Sequence, residues 1–280
     1  MELQRFTLEG PAGRLVGWST GPIETDRPAV LFVHPINMRG LIWADVVERM
    51  ATRRTCVLPD MRAHGESDAT GEFGLDEWLS DLQAVVADQR LSSYHVVGAS
   101  LGGPLACCVA AAEPERVVSV ITIGSSLRID GVDVESVLQT FDELGVAGTF
   151  GKVFPEITFG PGCPDEVIER GLELANPNDT ATVKRVWLAA ISSDVSEQAA
   201  AVRCPAMIIT GEFDATCTPP AGLELARALG AEQTLIPDIG HMPMLECPDR
   251  IAALIEGHME RAERLTLESS PASPPAGGLT

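Results

Sequence analysis

The segment Tyr94-His95-Val96-Val97-Gly98-Ala99-Ser100-Leu101-Gly102-Gly103 constrains the fold more than any other stretch of the chain. An apolar, β-prone run feeds directly into Gly-x-Ser-x-Gly, and an alanine-rich pattern of helical character follows. A strand that passes into a helix through so tight a turn holds its central residue in a strained backbone conformation. Side chains beside that residue would collide, and Gly98 and Gly102 flank it at the spacing where only hydrogen fits. The turn presents the Ser100 hydroxyl at the edge of a sheet. It also points the Leu101 amide, at a helix N-terminus, toward developing negative charge. A serine nucleophile is the chemistry such a turn serves.

The surrounding pattern supplies the sheet that this turn needs. Residues 2–20 alternate in short bursts about a turn at Gly10-Pro11-Ala12-Gly13 and read as an antiparallel hairpin. Ala29-Val30-Leu31-Phe32-Val33 is a continuous apolar run, as in a strand buried on both faces. A helix through Trp43, Val46, Val47 and Met50, a strand at 55–58 and a helix over 75–90 precede the central strand. A strand over 117–123 follows it, and the alternation resumes with strands at 206–210 and 233–236 and helices at 219–229 and 248–264. This order predicts an α/β fold, a mostly parallel sheet with helices on both faces. Between about 128 and 200 the alternation stops, and short helices punctuated by Gly and Pro read as a small helical lid. The expected division is a core of residues 1–127 and 200–266, a lid of 128–199 and a compositionally disordered tail of 267–280.

Composition excludes several function classes. At 280 residues the chain can bury one large core, and 45% hydrophobic residues is ordinary for a soluble globule. A formal net charge of −20 argues against nucleic-acid or anionic-membrane partners, which require basic patches. The first residues lack a signal-peptide core, and no apolar run approaches the roughly 18 residues of a membrane span. The seven cysteines match no zinc spacing, and Cys107 and Cys108 lie in an apolar helical stretch, so a reduced, cytoplasmic protein is expected. Self-association is left open by the sequence.

A serine hydroxyl needs a base, and a base needs an acid to orient it. His241, in Asp238-Ile239-Gly240-His241-Met242-Pro243, follows the last strand; Asp214, in Gly211-Glu212-Phe213-Asp214, follows the strand before it. Ser100, Asp214 and His241 therefore stand in nucleophile–acid–base order, each beyond the carboxyl end of a parallel strand. Asp130 is a reserve acid. The second oxyanion amide is assigned to Ile36, aimed by a turn that Pro35 fixes, and His34 is read as a structural hydrogen-bonding residue. In Asp60-Met61-Arg62-Ala63-His64-Gly65-Glu66-Ser67 the charged groups read as ties between loops rather than metal ligands, since no further ligands lie at the right spacing.

On these motifs the chain resembles the α/β-hydrolase superfamily from about residue 3 to 265. His34-Pro35 through Trp43 looks like the family's His-Gly-x-Pro loop, and 60–67 like its Asp-x-Arg-Gly-His-Gly-x-Ser turn. Gly98–Gly103 is similar to Gly-x-Ser-x-Gly-Gly, and 240–248 to the Gly-His-x-Pro segment around the base. The nearest appearance is that of 3-oxoadipate enol-lactonases and small-molecule esterases. Pro35 and Ala63 replace family glycines; Ala63 is tolerable if its backbone avoids positive φ. Ser at the nucleophile position disfavours dehalogenase and epoxide-hydrolase chemistry.

The resulting expectation is hydrolysis of an ester or lactone of a small, largely apolar molecule through an acyl-enzyme, with no metal or organic cofactor. Met38, Leu127, Phe141, Trp187 and Met242, with Phe150 and Phe154, are candidates for an apolar substrate pocket. Arg39, Arg128 and Arg185 are candidates for pairing with a substrate carboxylate. Carbon–carbon bond hydrolysis, cofactor-free perhydrolysis or acyl transfer would use the same triad, and a ligand receptor with slow hydrolysis would use the same scaffold.

Overall fold

Residues 2–22, 27–50 and 54–269 are described by the structure, a computed structural model. The expected hairpin is β1 (Gln4–Gly10) against β2 (Gly13–Ser19). β2 pairs antiparallel with β4 (Cys56–Asp60), and every later pairing is parallel. The remaining strands are β3 (Ala29–Val33), β5 (Tyr94–Ala99), β6 (Val117–Ile123), β7 (Ala206–Gly211) and β8 (Gln233–Ile236), and the eight-stranded sheet runs β1-β2-β4-β3-β5-β6-β7-β8.

The uninterrupted apolar strands follow from cover on both faces. Val30 and Phe32 of β3 pack with Trp43 and with Val46 of α1 (Ala44–Arg49), and with Ile255 of α10 (Pro248–Ser269). Leu31 and Val33, pointing the other way, join Trp78 and Leu82 of α2 (Leu75–Asp88) and Leu105 of α3 (Gly102–Ala112). The period of two along the strand thus feeds two separate apolar layers.

Between β6 and β7 lie α4 (Val134–Thr158), α5 (Asp165–Glu173), α6 (Thr180–Ile191) and α7 (Ser196–Ala201), with no further strand of the sheet. A bridge between Arg128 and Asp194 and a bond from the Val195 amide to the Leu127 carbonyl (3.0 Å) draw the two ends of this stretch together. Gly145 breaks α4 with φ 65°, and the Thr149 hydroxyl donates across the break to the Gly145 carbonyl at 2.7 Å. α8 (Pro219–Ala228) and the short α9 (Pro243–Glu246) complete the set. α10 continues to Ser269, past the 267 at which a disordered tail is expected, because Arg261 to Glu268 is rich in helix formers. Residues 270–280 lie outside the described residues. Among the described residues no helix is long and apolar enough to cross a membrane.

The turn after β4 ties loops together, as its charges suggest. The buried Asp60 carboxylate accepts the Gly40 amide (2.7 Å) and the Glu66 amide (2.8 Å). Arg62 meets Asp81 of α2 through two bonds of 2.6 and 2.7 Å, both side chains buried. Ala63 departs from expectation. Its φ is 62°, in the left-handed region, so the alanine carries strain of roughly 1–2 kcal/mol that the family's glycine would avoid. Removing the Asp81 carboxylate should leave the Arg62 charge buried and unpaired. Asp81→Ala is expected to lower unfolding free energy in urea by about 3–5 kcal/mol, while Arg62→Leu/Asp81→Leu recovers most of that loss.

Candidate active site

Ser100 sits at the end of β5 with φ 51°, the left-handed strain that the Gly-x-Ser-x-Gly spacing requires. Its amide donates to the Ile123 carbonyl of β6 (2.9 Å), and its carbonyl accepts the Gly103 amide (3.0 Å), so the turn is fixed on both sides. A Cβ at Gly98 would run into the Gly102 carbonyl, and one at Gly102 into the Val33 carbonyl. One at Gly103 would strike the Ser125 hydroxyl. Leu101 caps α3, which places its amide at the positive end of an 11-residue helix.

Asp214 and His241 meet beyond the ends of β7 and β8. The imidazole Nδ1 lies 2.9 Å from Asp214 Oδ2 and 3.0 Å from Oδ1, with both residues buried. Asp214 Oδ1 also accepts the amides of Thr216 (2.9 Å) and Cys217 (2.7 Å), which locks the carboxylate before it meets the ring. An Nδ1–H donated to that carboxylate leaves Nε2 as the free base. The His241 amide donates to the Thr158 carbonyl at 2.6 Å. Glu246 accepts the neighbouring Gly240 amide (3.0 Å) and the Gly160 amide (2.8 Å), so the His241 loop is tied to the end of α4.

Ser100 and His241 open onto the same cavity, about 820 Å³ with its mouth included. Its walls come from α4 and α6, and Pro35, Ile36 and Asn37 close the side next to Ser100. Of the five histidines, His241 alone lines it. Burial holds His34 well below its ordinary pKa, His95 below it, and His64 and His258 down to about 4, so these four stay neutral. His95 even stands between the Ser119 hydroxyl (2.8 Å) and the Glu263 carboxylate (3.1 Å), but His95 and Ser119 are wholly buried. That row is a core tie.

His34 positions the loop before the cavity. Its Nε2 accepts the Met61 amide (3.1 Å), so Nδ1 carries the proton and donates to the Pro35 carbonyl (2.7 Å). The sequence pattern matches this architecture: the model of the alpha/beta hydrolase family covers residues 30–254.

The chain belongs to the alpha/beta hydrolase family.

Among curated relatives, a pimeloyl-[acyl-carrier protein] methyl ester esterase of Chromobacterium violaceum is 27% identical over 249 residues, 83% of this chain and 94% of that one. A 3-oxoadipate enol-lactonase of Acinetobacter baylyi is 21% identical over 238 residues, 83% of this chain and 89% of that one. Among solved structures, an enol-lactonase from Burkholderia xenovorans superposes with a TM-score of 0.83 at 19% identity, covering 91% of this chain and all 100% of its own.

Within this hydrolase, Ile36, Phe141, Phe150, Phe154, Trp187 and Met242 line the cavity. Met38 and Leu127 do not. Met38 turns inward from the Pro35 turn onto Phe32 and Trp43, and Leu127 packs beside Cys107 and Val195 at the neck of the helical stretch. The candidate arginines do not line the cavity, and Arg39 keeps a buried Nε without a partner among the described residues. Arg39 donates to the Ala175 carbonyl, and Arg128 pairs with Asp130 and Glu224. Arg185 lies over the Phe73 ring and pairs with Glu72. Asp130, the reserve acid, is therefore bound at Arg128 instead.

Two features were missed by sequence reasoning. Gly124, with φ 52°, lies so close that a Cβ there would come within 3.0 Å of Asp214 Oδ2 and 3.2 Å of His241 Nδ1. Its only sequence signal is a glycine directly after β6. Asn176 and Asn178 reach from the loop after α5 to the Ala63 carbonyl (2.7 and 2.6 Å), and the Asn176 amide donates to the Asn37 carbonyl (2.6 Å). Asn-Pro-Asn reads merely as punctuation until the fold brings it to these loops. Gly124→Ala is expected to fold but to push Asp214 and His241 apart; if that pair serves catalysis, kcat for p-nitrophenyl butyrate falls on the order of 10-fold or more in steady-state assays with KM little changed.

Proposed function

We propose that the protein hydrolyses esters or lactones of small, largely apolar molecules through an acyl-enzyme on Ser100. The observation that carries this reading is that His241, paired with the buried Asp214, opens onto the same cavity as a serine held at φ 51°. Substrate enters the cavity, and His241 Nε2 takes the Ser100 proton as Oγ attacks the carbonyl carbon. Asp214 stabilises the imidazolium that forms. The oxyanion is held by the Leu101 amide, at the start of α3, and by the Ile36 amide on the loop that His34 fixes. His241 then gives its proton to the leaving alkoxide, activates water, and releases the acid. In this reading residues 128–199 act as a lid whose aromatic side chains wall the acyl site, and residues 1–127 with 200–266 form the core. The esterase and enol-lactonase names of the relatives agree with carbonyl chemistry at such a site.

Ser100→Ala and His241→Ala should each lower kcat for p-nitrophenyl butyrate and a panel of small lactones on the order of 10⁴- to 10⁶-fold, since triad members act as a unit. Circular dichroism would establish that both variants remain folded. A folded Ser100→Ala protein within tenfold of the parent enzyme would contradict the mechanism.

A further inference from the structure

The cavity lining is chemically one-sided. Val137, Phe141, Phe150, Val153, Phe154 and Ile157 of α4 form one apolar side of it, and rings run in contact along it: Phe141 to Phe150 at 6.5 Å, Phe150 to Phe154 at 5.8 Å, Phe141 to Trp187 at 6.2 Å. Among the described residues no Arg or Lys lines it: Arg39 donates to the Ala175 carbonyl, Arg128 pairs with Asp130 and Glu224, and Arg185 with Glu72. A carboxylate entering this space would lose its hydration without gaining a cation, against the field of a chain with net charge −20.

The polar capacity that remains is neutral. Asn37 lines the cavity beside Ile36, is 1% exposed, and among the described residues neither its Nδ2 nor its Oδ1 has a hydrogen-bond partner. An unpaired buried amide costs free energy that a complementary group recovers. Asn37 is held at φ 59° with its carbonyl bound to the Asn176 amide, so the backbone carrying this amide is fixed. On the α6 side, Trp187 also lines the cavity, and its buried Nε1–H is likewise unpartnered.

We infer that the site selects an uncharged acyl group bearing a neutral hydrogen-bonding function such as a ketone, with Asn37 and Trp187 as its specificity-determining contacts, and rejects acyl groups that end in a carboxylate. The inference rests on the Ser100 esterase reading and gives that site its substrate class. It separates this chain from an enzyme acting on a dicarboxylate-derived lactone.

Four p-nitrophenyl esters of matched length test it: the hexanoate, the 4- and 5-oxohexanoates, and the mono-adipate. In the parent enzyme kcat/KM should be about 10-fold higher for the better oxo ester than for the hexanoate. It should be about 100-fold lower for the mono-adipate. Asn37→Gly keeps a left-handed backbone and the carbonyl bond to Asn176; Trp187→Phe keeps a ring and removes only the N–H. Each should lower the oxo-to-hexanoate ratio toward one. Equal rates for oxo and plain esters, or a ratio unmoved in both variants, overturn the role of Asn37 and Trp187. A mono-adipate hydrolysed as fast as the hexanoate overturns the uncharged-acyl assignment. Activity on every ester that survives Ser100→Ala would instead overturn the underlying esterase reading, which keeps the two failures apart.

Discussion

The left-handed turn at Ser100 is the constraint on which the rest of the site depends. An L-residue at φ 51° is held there only because its surroundings leave no alternative. β5 and α3 approach so closely that Gly98 faces the Gly102 carbonyl, and Gly102 faces Val33 at the end of β3. A side chain at either glycine would spread strand from helix, and the serine would relax into an ordinary turn. The strain is held in place by burial across the whole of β5, whose six residues are all buried between two apolar layers. The sheet is therefore the device that keeps a hydroxyl at the cavity wall in an unfavourable conformation.

Around that turn, polar loops are joined by side-chain and amide bonds. Asp60 fixes Gly40, Arg62 fixes Asp81, and Glu246 fixes both Gly160 and Gly240. Asn176 and Asn178 fasten the helical stretch to Ala63 and Asn37. These ties concentrate on the same end of the sheet as Ser100, Asp214 and His241. Loops at the carboxyl ends of parallel strands have no sheet partners to hold them, so side-chain and amide bonds supply the rigidity that positioned groups need.

Much of this was legible in the sequence, and the reason is physical. Strands buried on both faces write continuous apolar runs such as Ala29–Val33, and the elbow needs glycines at fixed offsets. His241 and Asp214 follow strands in an order that the architecture dictates. The walls of the cavity were less legible, because a hydrophobic side chain near the site can point either way. Met38 and Asn37 are adjacent, yet one joins the core and the other faces the cavity. Gly124 was invisible because its importance comes from a contact across strands, with His241 more than a hundred residues away. Ala63 ran against expectation: its backbone adopts the glycine-like conformation without the glycine, while its carbonyl is held by two asparagine amides.

The proposed chemistry depends most on Ser100 being a nucleophile activated through His241. A fluorophosphonate probe reacts with an activated serine and leaves a stable adduct that peptide mass spectrometry can locate. Stoichiometric modification at Ser100 is expected, suppressed when His241 is replaced by Ala. Labelling at another serine, or an unlabelled Ser100 in folded protein, would contradict it.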